Sequence, residues 1–324
     1  MSISSELQIS TTAQAPLATP NPGGTSRSGL TYALVSYAIW GVLPLFFIAL
    51  APAGAFEVVA WRIVFSLVFC ALLLAVTRKF KPFFRLLARP RISITMAVAG
   101  ALIYINWQTY VYSAMSGQVV EASLGYFINP IVTVFLGVFF MRERLRLAQW
   151  IAVGVSLVAV VILAIGAGTV PWIALTLAFS FGFYGYIKKR VGNRVDAVAG
   201  LTMETLWLMP VAIVQLIVVA ATVGITFGTV SPVHTALLIG TGVITAVPLI
   251  LFAAASRRLP LIYMGFIQYF APVIQFLVGV LILQEPMSPE RWVGFSLVWL
   301  ALLILTVDAL VGRRGNRQTV AELV

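Results

Sequence analysis

The sequence predicts an all-α polytopic membrane protein: ten transmembrane helices built as two inverted five-helix repeats, with both termini in the cytoplasm. Three observations predict it. Hydrophobic residues make up 61% of the 324 residues and charged residues only 10%, with a mean hydropathy of +1.03; a soluble domain is nearer half apolar and a quarter charged. Apolar runs of about 20 residues, long enough to cross a bilayer core of roughly 30 Å as a helix, recur along the chain. One pattern also returns. A shift of 142 positions (272 − 130) carries Pro130, Gly137, Val138, Glu143 and Trp150 onto Pro272, Gly279, Val280, Glu285 and Trp292, identical residues in an ungapped register.

The same composition narrows the function classes. A net charge of +11 would suggest nucleic acid in a soluble chain, but here the basic residues sit in short loops between spans, where they act as topology determinants. No nucleic-acid partner is expected. A single cysteine, Cys70, leaves no intrachain disulfide, and a single histidine, His234, leaves no His/Cys metal cluster. Nothing resembles a Walker A loop, so no ATP, cofactor or metal is expected.

Taken in order, residues 1–28 are rich in Ser, Thr, Ala, Pro and Gly and carry almost no charge. They lack the apolar core of a signal peptide and read as a disordered cytoplasmic tail. Ten spans follow at 30–50, 57–77, 92–112, 118–141, 147–166, 171–188, 199–223, 234–254, 259–283 and 290–311. The loop after the second span carries Arg78, Lys79, Lys81, Arg85, Arg89 and Arg91, a stretch suited either to anionic lipid heads or to anchoring topology. The loop after the fourth carries Arg142, Arg144 and Arg146, and that after the sixth Lys188, Lys189, Arg190 and Arg194. Arg257 and Arg258 follow the eighth span, and Arg313, Arg314 and Arg317 the tenth. The alternate loops hold only Arg291, beside Glu285 and Glu290, so the positive-inside rule places both termini in the cytoplasm. Residues 29–168 form the first five-span repeat, 169–311 the second, and 312–324 a cytoplasmic tail. Five is odd, so the second repeat enters the membrane inverted. Ser36, Trp40 and Gly41 fall on Ser180, Tyr184 and Gly185 at a similar offset. Inverted repeats commonly frame a site near the bilayer midplane.

Ionisable groups inside a span are costly, so each wants a reason. Arg62, in the second span, and Glu121, at the start of the fourth, lie at similar depths. They fit either a structural ion pair or an outer gate and substrate-charge site. Glu204 is the repeat mate of Arg62 (204 − 142 = 62), opposite in charge and in membrane face. Its nearby cations are Lys188 and Lys189, and a carboxylate at that depth is either a proton-coupling or substrate-contacting group or one simply bonded at the cytoplasmic end. Glu121, Gly125 and Asn129 form one helical stripe, as do Gln268, Pro272 and Gln275, while Asn106 and Tyr110 share a face of the third span. Such stripes fit a cavity for a neutral or zwitterionic solute; interhelical hydrogen bonding is the plainer reading of any single residue. Pro130 and Pro272, repeat mates beside these stripes, are candidate gating kinks; Pro44 and Pro248 read as helix curvature. Trp107, Tyr126, Trp207 and Tyr269 lie deep enough to stack on a substrate, with ordinary packing the alternative.

The blocks WRIVFS (61–66), EASLGYFINP (121–130), LAFSFGFYG (177–185), METLWLMP (203–210) and GFIQYFAP (265–272) resemble the RarD proteins of the EamA group, in the drug/metabolite transporter superfamily. The resemblance covers residues 30–311. It implies a ten-helix bundle in the bacterial cytoplasmic membrane. It also implies a permease, working as an exporter of small organic solutes or drugs such as chloramphenicol-like compounds. The mechanism expected from the repeats is alternating access, with a small-molecule substrate, the lipid bilayer and protons as coupling ion for partners. The alternatives are a non-transporting polytopic membrane protein and a lipid-modifying membrane enzyme. The latter needs a nucleophile with a base, a metal set or an acidic pair in large loops, and the loops here are short. No enzymatic activity is expected.

Overall fold

The computed structural model describes residues 27–141, 147–167, 169–191, 194–256, 258–259 and 267–321. Among them are eleven α-helices and no strand. They are α1 (Arg27–Ile48), α2 (Ala55–Val76), α3 (Phe80–Leu87), α4 (Pro90–Met115), α5 (Val119–Met141), α6 (Leu147–Ala167), α7 (Trp172–Val191), α8 (Ala197–Thr222), α9 (Pro232–Ser256), α10 (Phe270–Leu277) and α11 (Pro289–Ala321). A π-helical turn over Val278–Ile282 continues α10. The tail up to residue 26, the cluster Arg142 to Arg146 with Glu143, and Arg257 lie outside the described residues.

Six helices, α1, α2, α6, α8, α9 and α11, are long and apolar enough to cross a bilayer. The bent pair α3–α4 makes a seventh if taken as one span, and shorter apolar helices cover Val119–Val132 and Phe270–Ile282. Large apolar side chains such as Leu72, Ile94, Leu157, Ile217 and Leu303 are exposed on the perimeter. In water such a surface would aggregate, whereas lipid accepts it because each helix satisfies its own backbone. The chain is a multi-pass membrane protein.

Three stretches differ from the expectation. Residues 78–91, read as a loop, contain α3, which meets α4 at 92°. Phe80, Phe83, Phe84, Leu86 and Leu87 recur at helical spacing between basic residues, and Phe83 is buried on the bundle while Phe84 is exposed. The ninth span, expected as one helix over 259–283, is interrupted: Gln268 and Tyr269 lie in a turn ahead of α10. Pro272 therefore falls in the first turn of α10, where its missing N–H removes no helical bond. The last helix runs past residue 311, where the tenth span was expected to end, to Ala321.

Helix contacts are α1 with α9 and α10, α2 with α8 and α9, α4 with α7 and α8, α5 with α7 and α10, and α6 with α11. Two main apolar cores result. One joins α1, α2, α4, α8 and α9 through Phe47, Ile63, Val111, Leu208 and Leu238; the other joins α5, α6, α10 and α11 through Leu124, Phe127, Leu163, Phe276 and Phe295. Helix α5 serves both, with Ala122 and Tyr126 toward the first and Phe127 and Ile128 toward the second.

Polar bonds tie the helix ends into two rims. At one rim Lys79 reaches Asp196 at 4.0 Å, and Asp196 caps α8 by accepting from the Ala199 N–H at 2.9 Å. This rim carries α3 and its cations and is called the basic rim below. At the opposite rim Glu57 accepts from the Thr226 and Phe227 N–H groups, at 2.8 and 3.1 Å, holding the α8–α9 connection on the start of α2. His234 Nε2 lies 2.9 Å from the Leu50 carbonyl, fastening the end of α1 to the start of α9. Glu285 accepts from Val119 and Val120 N–H at 2.6 and 2.9 Å, neutralising the free donors at the start of α5. Gln284, at φ 52°, turns the chain out of the π-helical segment so that Glu285 reaches back.

Candidate functional site

Arg62 and Glu204 are each the eighth residue of their helices, α2 and α8. At 1.5 Å per residue both lie roughly 10 Å inside, Arg62 from the opposite rim and Glu204 from the basic rim. A chain of polar and aromatic side chains joins the two levels between α2, α4, α5, α7 and α8.

Arg62 is buried. Its Nε donates to Thr245 Oγ1 at 2.8 Å, and Thr245 in turn donates to the Thr241 carbonyl at 2.7 Å. The guanidinium carbon lies 4.2 Å from the centroid of Trp107 and 5.4 Å from that of Phe47, a doubly stacked cation. Tyr110 and Tyr126 lie within electrostatic reach of it. The Nη1 of Arg62 and the hydroxyl of Tyr110 are buried without a hydrogen-bond partner.

Midway, Asn106 is the junction. Its Nδ2 donates to the Leu177 carbonyl and to Ser180 Oγ, at 3.2 and 3.1 Å, and its Oδ1 accepts from the Tyr126 hydroxyl at 3.1 Å. Tyr126 stands edge-on to Tyr110, centroids 5.6 Å apart, and to Phe181 at 6.0 Å. Phe181 leads to Tyr184 at 5.9 Å.

At the basic level Lys188 Nζ lies 2.8 Å from Glu204 Oε1, and the Tyr184 hydroxyl donates to both carboxylate oxygens at 3.3–3.4 Å. The carboxylate is 1% exposed and the lysine side chain 31%, so the pair bridges interior and rim. Gly200 leaves room for it: a Cβ there would sit 2.8 Å from the lysine nitrogen.

The remaining sequence candidates fall into three places. Glu121 does not pair with Arg62. Half-buried at the start of α5, it faces the Ile173 and Ala174 N–H groups that open α7, where a carboxylate meets the positive end of the helix dipole. Asn129 faces α7 beside Gly182, one turn along α5 from Tyr126, with Pro130 next to it. Gln275 is buried on α10 and donates to the Trp40 carbonyl at 3.1 Å. That carbonyl is four residues before Pro44 and so has lost its helical donor; Gln275 replaces it. Gln268 and Tyr269 sit half-buried in the turn before α10, with Pro272 beyond. Trp207, well inside α8, faces out of the bundle: it is 46% exposed, its indole N–H bonded to Ser93 Oγ at 3.2 Å.

Sequence reasoning gave no site role to Thr245, Ser180, Glu57 or Glu285. Ser180 had a signal, as the repeat mate of Ser36, which itself donates across to the Pro248 carbonyl at 2.7 Å. Among the described residues no group of three or more His, Cys, Asp or Glu side chains could hold a metal ion.

Comparison with known proteins gives a consistent set of likenesses. The EamA-like transporter family matches residues 27–165. A protein RarD of Streptomyces exfoliatus is 47% identical over 291 residues, 90% of this chain and 92% of the relative. The chloramphenicol-sensitive protein RarD of Pseudomonas aeruginosa is 31% identical over 294 residues, 88% of this chain and 95% of that one. One solved crystal structure is similar in fold, with a TM-score of 0.55 and 19% identity, covering 89% of this chain and 98% of the other.

Proposed function

The chain belongs to the EamA-like transporter family, among its RarD proteins, and on that premise we propose that it is a secondary transporter of small organic solutes in the bacterial cytoplasmic membrane. It works by alternating access between two inverted five-span repeats, with ten spans, both termini cytoplasmic and export as its direction. The observation that carries this reading is the polar and aromatic chain from Arg62 through Tyr126, Asn106 and Tyr184 to Glu204, running between helices whose outer surfaces are apolar. Buried polar groups in a membrane bundle mark a path when they are continuous.

The helix contacts support the repeats. Exchanging the two halves turns the contact of α1 with α9 into that of α7 with α4, α1 with α10 into α7 with α5, and α2 with α9 into α8 with α4. The contacts of α2 with α8, α5 with α10 and α6 with α11 map onto themselves. This pattern suits two related gates around one site. Tyr126, Asn106 and Arg62 form the solute path, and Glu121, Asn129, Pro130, Gln268, Tyr269, Pro272 and Gln275 the flanking surfaces that rearrange. Glu204 is the proton-coupling group: protonating it releases Lys188, a local charge change able to favour one of the two states. Chloramphenicol-like compounds are one candidate substrate class, following the name of the Pseudomonas aeruginosa relative. The family points away from an enzyme.

The test is flux through the purified chain in proteoliposomes, using a panel of small organic solutes that includes chloramphenicol, with and without an imposed pH gradient. At least one solute should move faster than through protein-free vesicles and follow the gradient. Glu204→Gln should keep the flux and lose its response to pH. No solute moving in either condition would sink the transporter reading, and an unchanged pH response in Glu204→Gln would sink the coupling role.

A further inference from the structure

Arg62 is a cation without an anion. Among the described residues no carboxylate pairs with it, and Lys188, the other cation set into the bundle, is committed to Glu204. A guanidinium has five donors; Thr245 takes Nε, and Nη1 is buried with no acceptor. The Tyr110 hydroxyl, on the adjoining helix α4, is a second buried group lacking a partner. Native structures satisfy nearly all such groups, and an uncompensated buried charge is among the most expensive arrangements a fold can hold. Stacking on Trp107 and Phe47 offsets part of that cost and fixes the guanidinium plane, but supplies no hydrogen-bond acceptor.

We propose that Arg62 and Tyr110 together bind the carboxylate of a small organic acid, whose apolar part rests against Trp107, Phe47 and Tyr126. The proposal rests on the transport reading for its role and names the substrate class of that same site. The charge selects a monoanion: one guanidinium balances one carboxylate, whereas a phosphate dianion would bring surplus charge into a surround with no second free cation among the described residues. The aromatic walls select an acid with an apolar or aromatic body over a hydrated inorganic anion. Thr245 acts as a positioning residue, holding Nε so that Nη1 keeps its direction.

Equilibrium binding to the purified full-length chain in detergent tests this without requiring transport. Thermal stability and tryptophan fluorescence are followed, Trp107 being stacked on the arginine. The probes are butyrate, benzoate and phenylacetate against their uncharged amides, with potassium chloride at equal ionic strength as control. At least one acid should bind saturably and at least about 10-fold tighter than its amide. Arg62→Gln should weaken it by at least about 30-fold, and Arg62→Lys should weaken it while keeping acid preferred over amide. If Arg62→Gln does not fold, Thr245→Val should still loosen acid binding and leave amide binding unchanged. Acids binding no better than amides, equal binding by Arg62→Gln, or chloride competing as well as the acids would each overturn the proposal. Binding without flux would sink the transport reading alone; flux of neutral solutes indifferent to Arg62→Gln, with no acid preference, would sink this one alone.

Discussion

Lys188 and Glu204 lie where a single side chain decides whether a buried charge is tolerated. Removing the lysine strands a carboxylate that is 1% exposed, while removing both charges leaves Tyr184 able to bond a neutral amide. Breaking a buried pair usually costs 3–5 kcal/mol and neutralising both partners far less. Because the Lys188 side chain is 31% exposed, the low end applies. Lys188→Met should therefore destabilise the protein by about 3 kcal/mol, and Lys188→Met with Glu204→Gln should restore most of it. Thermal unfolding in detergent measures both, and equal midpoints for the single and double variants would refute the pairing as a stabilising contact. The charged residues themselves were legible in the sequence, since ionisable groups inside apolar runs stand out. Their partners were less so. Sequence alone places Arg62 and Glu121 at similar depths, but Arg62 is the eighth residue of α2 and Glu121 the third of α5; the rotation of α2 aims the arginine at Thr245 and Trp107, and Glu121 turns to the start of α7. Depth depends on where each helix starts, and azimuth on how neighbours pack.

At the scale of helices, close approach is set by glycines that periodicity does not flag. Gly100 and Gly242 are separated by the same 142-residue offset (242 − 100 = 142). A Cβ on Gly100 would lie 3.1 Å from the Glu204 carbonyl oxygen on α8, and one on Gly242 would lie 2.4 Å from that of Phe65 on α2. Backbone cannot yield as a flexible side chain can, so Gly242→Ala must push α9 from α2. The expected loss is about 1–3 kcal/mol, with a smaller loss for Gly100→Ala. Gly154→Ala, with nothing within 4 Å of its Cβ, should be neutral or gain about 0.5–1 kcal/mol from helix propensity. Thermal midpoints for the three variants check the order, and a Gly242→Ala midpoint at the wild-type value would contradict the packing. Most helices were legible because twenty-residue apolar runs leave few alternatives. The break at Gln268–Tyr269 was not, because the apolar run continues through it and only the position of Pro272 within the helix distinguishes a kink from a start. Helix α3 was hidden by its charge: basic residues dominated the reading of a stretch whose phenylalanines are helically spaced.

The whole molecule has a polarity of charge from which an orientation is predicted. Arg78 to Arg91, Lys188 and Arg258 lie toward one rim, and Glu57, Glu121, Glu285 and Glu290 belong to the other. Cations near short loops resist translocation, so the basic rim should face the cytoplasm. The chain suits a direct test because Cys70 is its single cysteine and is buried. In a Cys70→Ala background, Gly224→Cys labels the α8–α9 connection at the opposite rim and Lys81→Cys labels α3. A membrane-impermeant maleimide added to intact cells should modify the first and not the second, and cell lysis should expose the second. The arrangement carries a consequence for the two repeats. If α3 lies inside and the α8–α9 connection outside, α2 and α8, related by the 142-residue sequence offset and in contact, cross the membrane in opposite directions. Labelling of Lys81→Cys from outside would reverse the assigned orientation. Labelling of both sites from the same side would place both connections on one face, and the inverted relation of the two halves would fall with it.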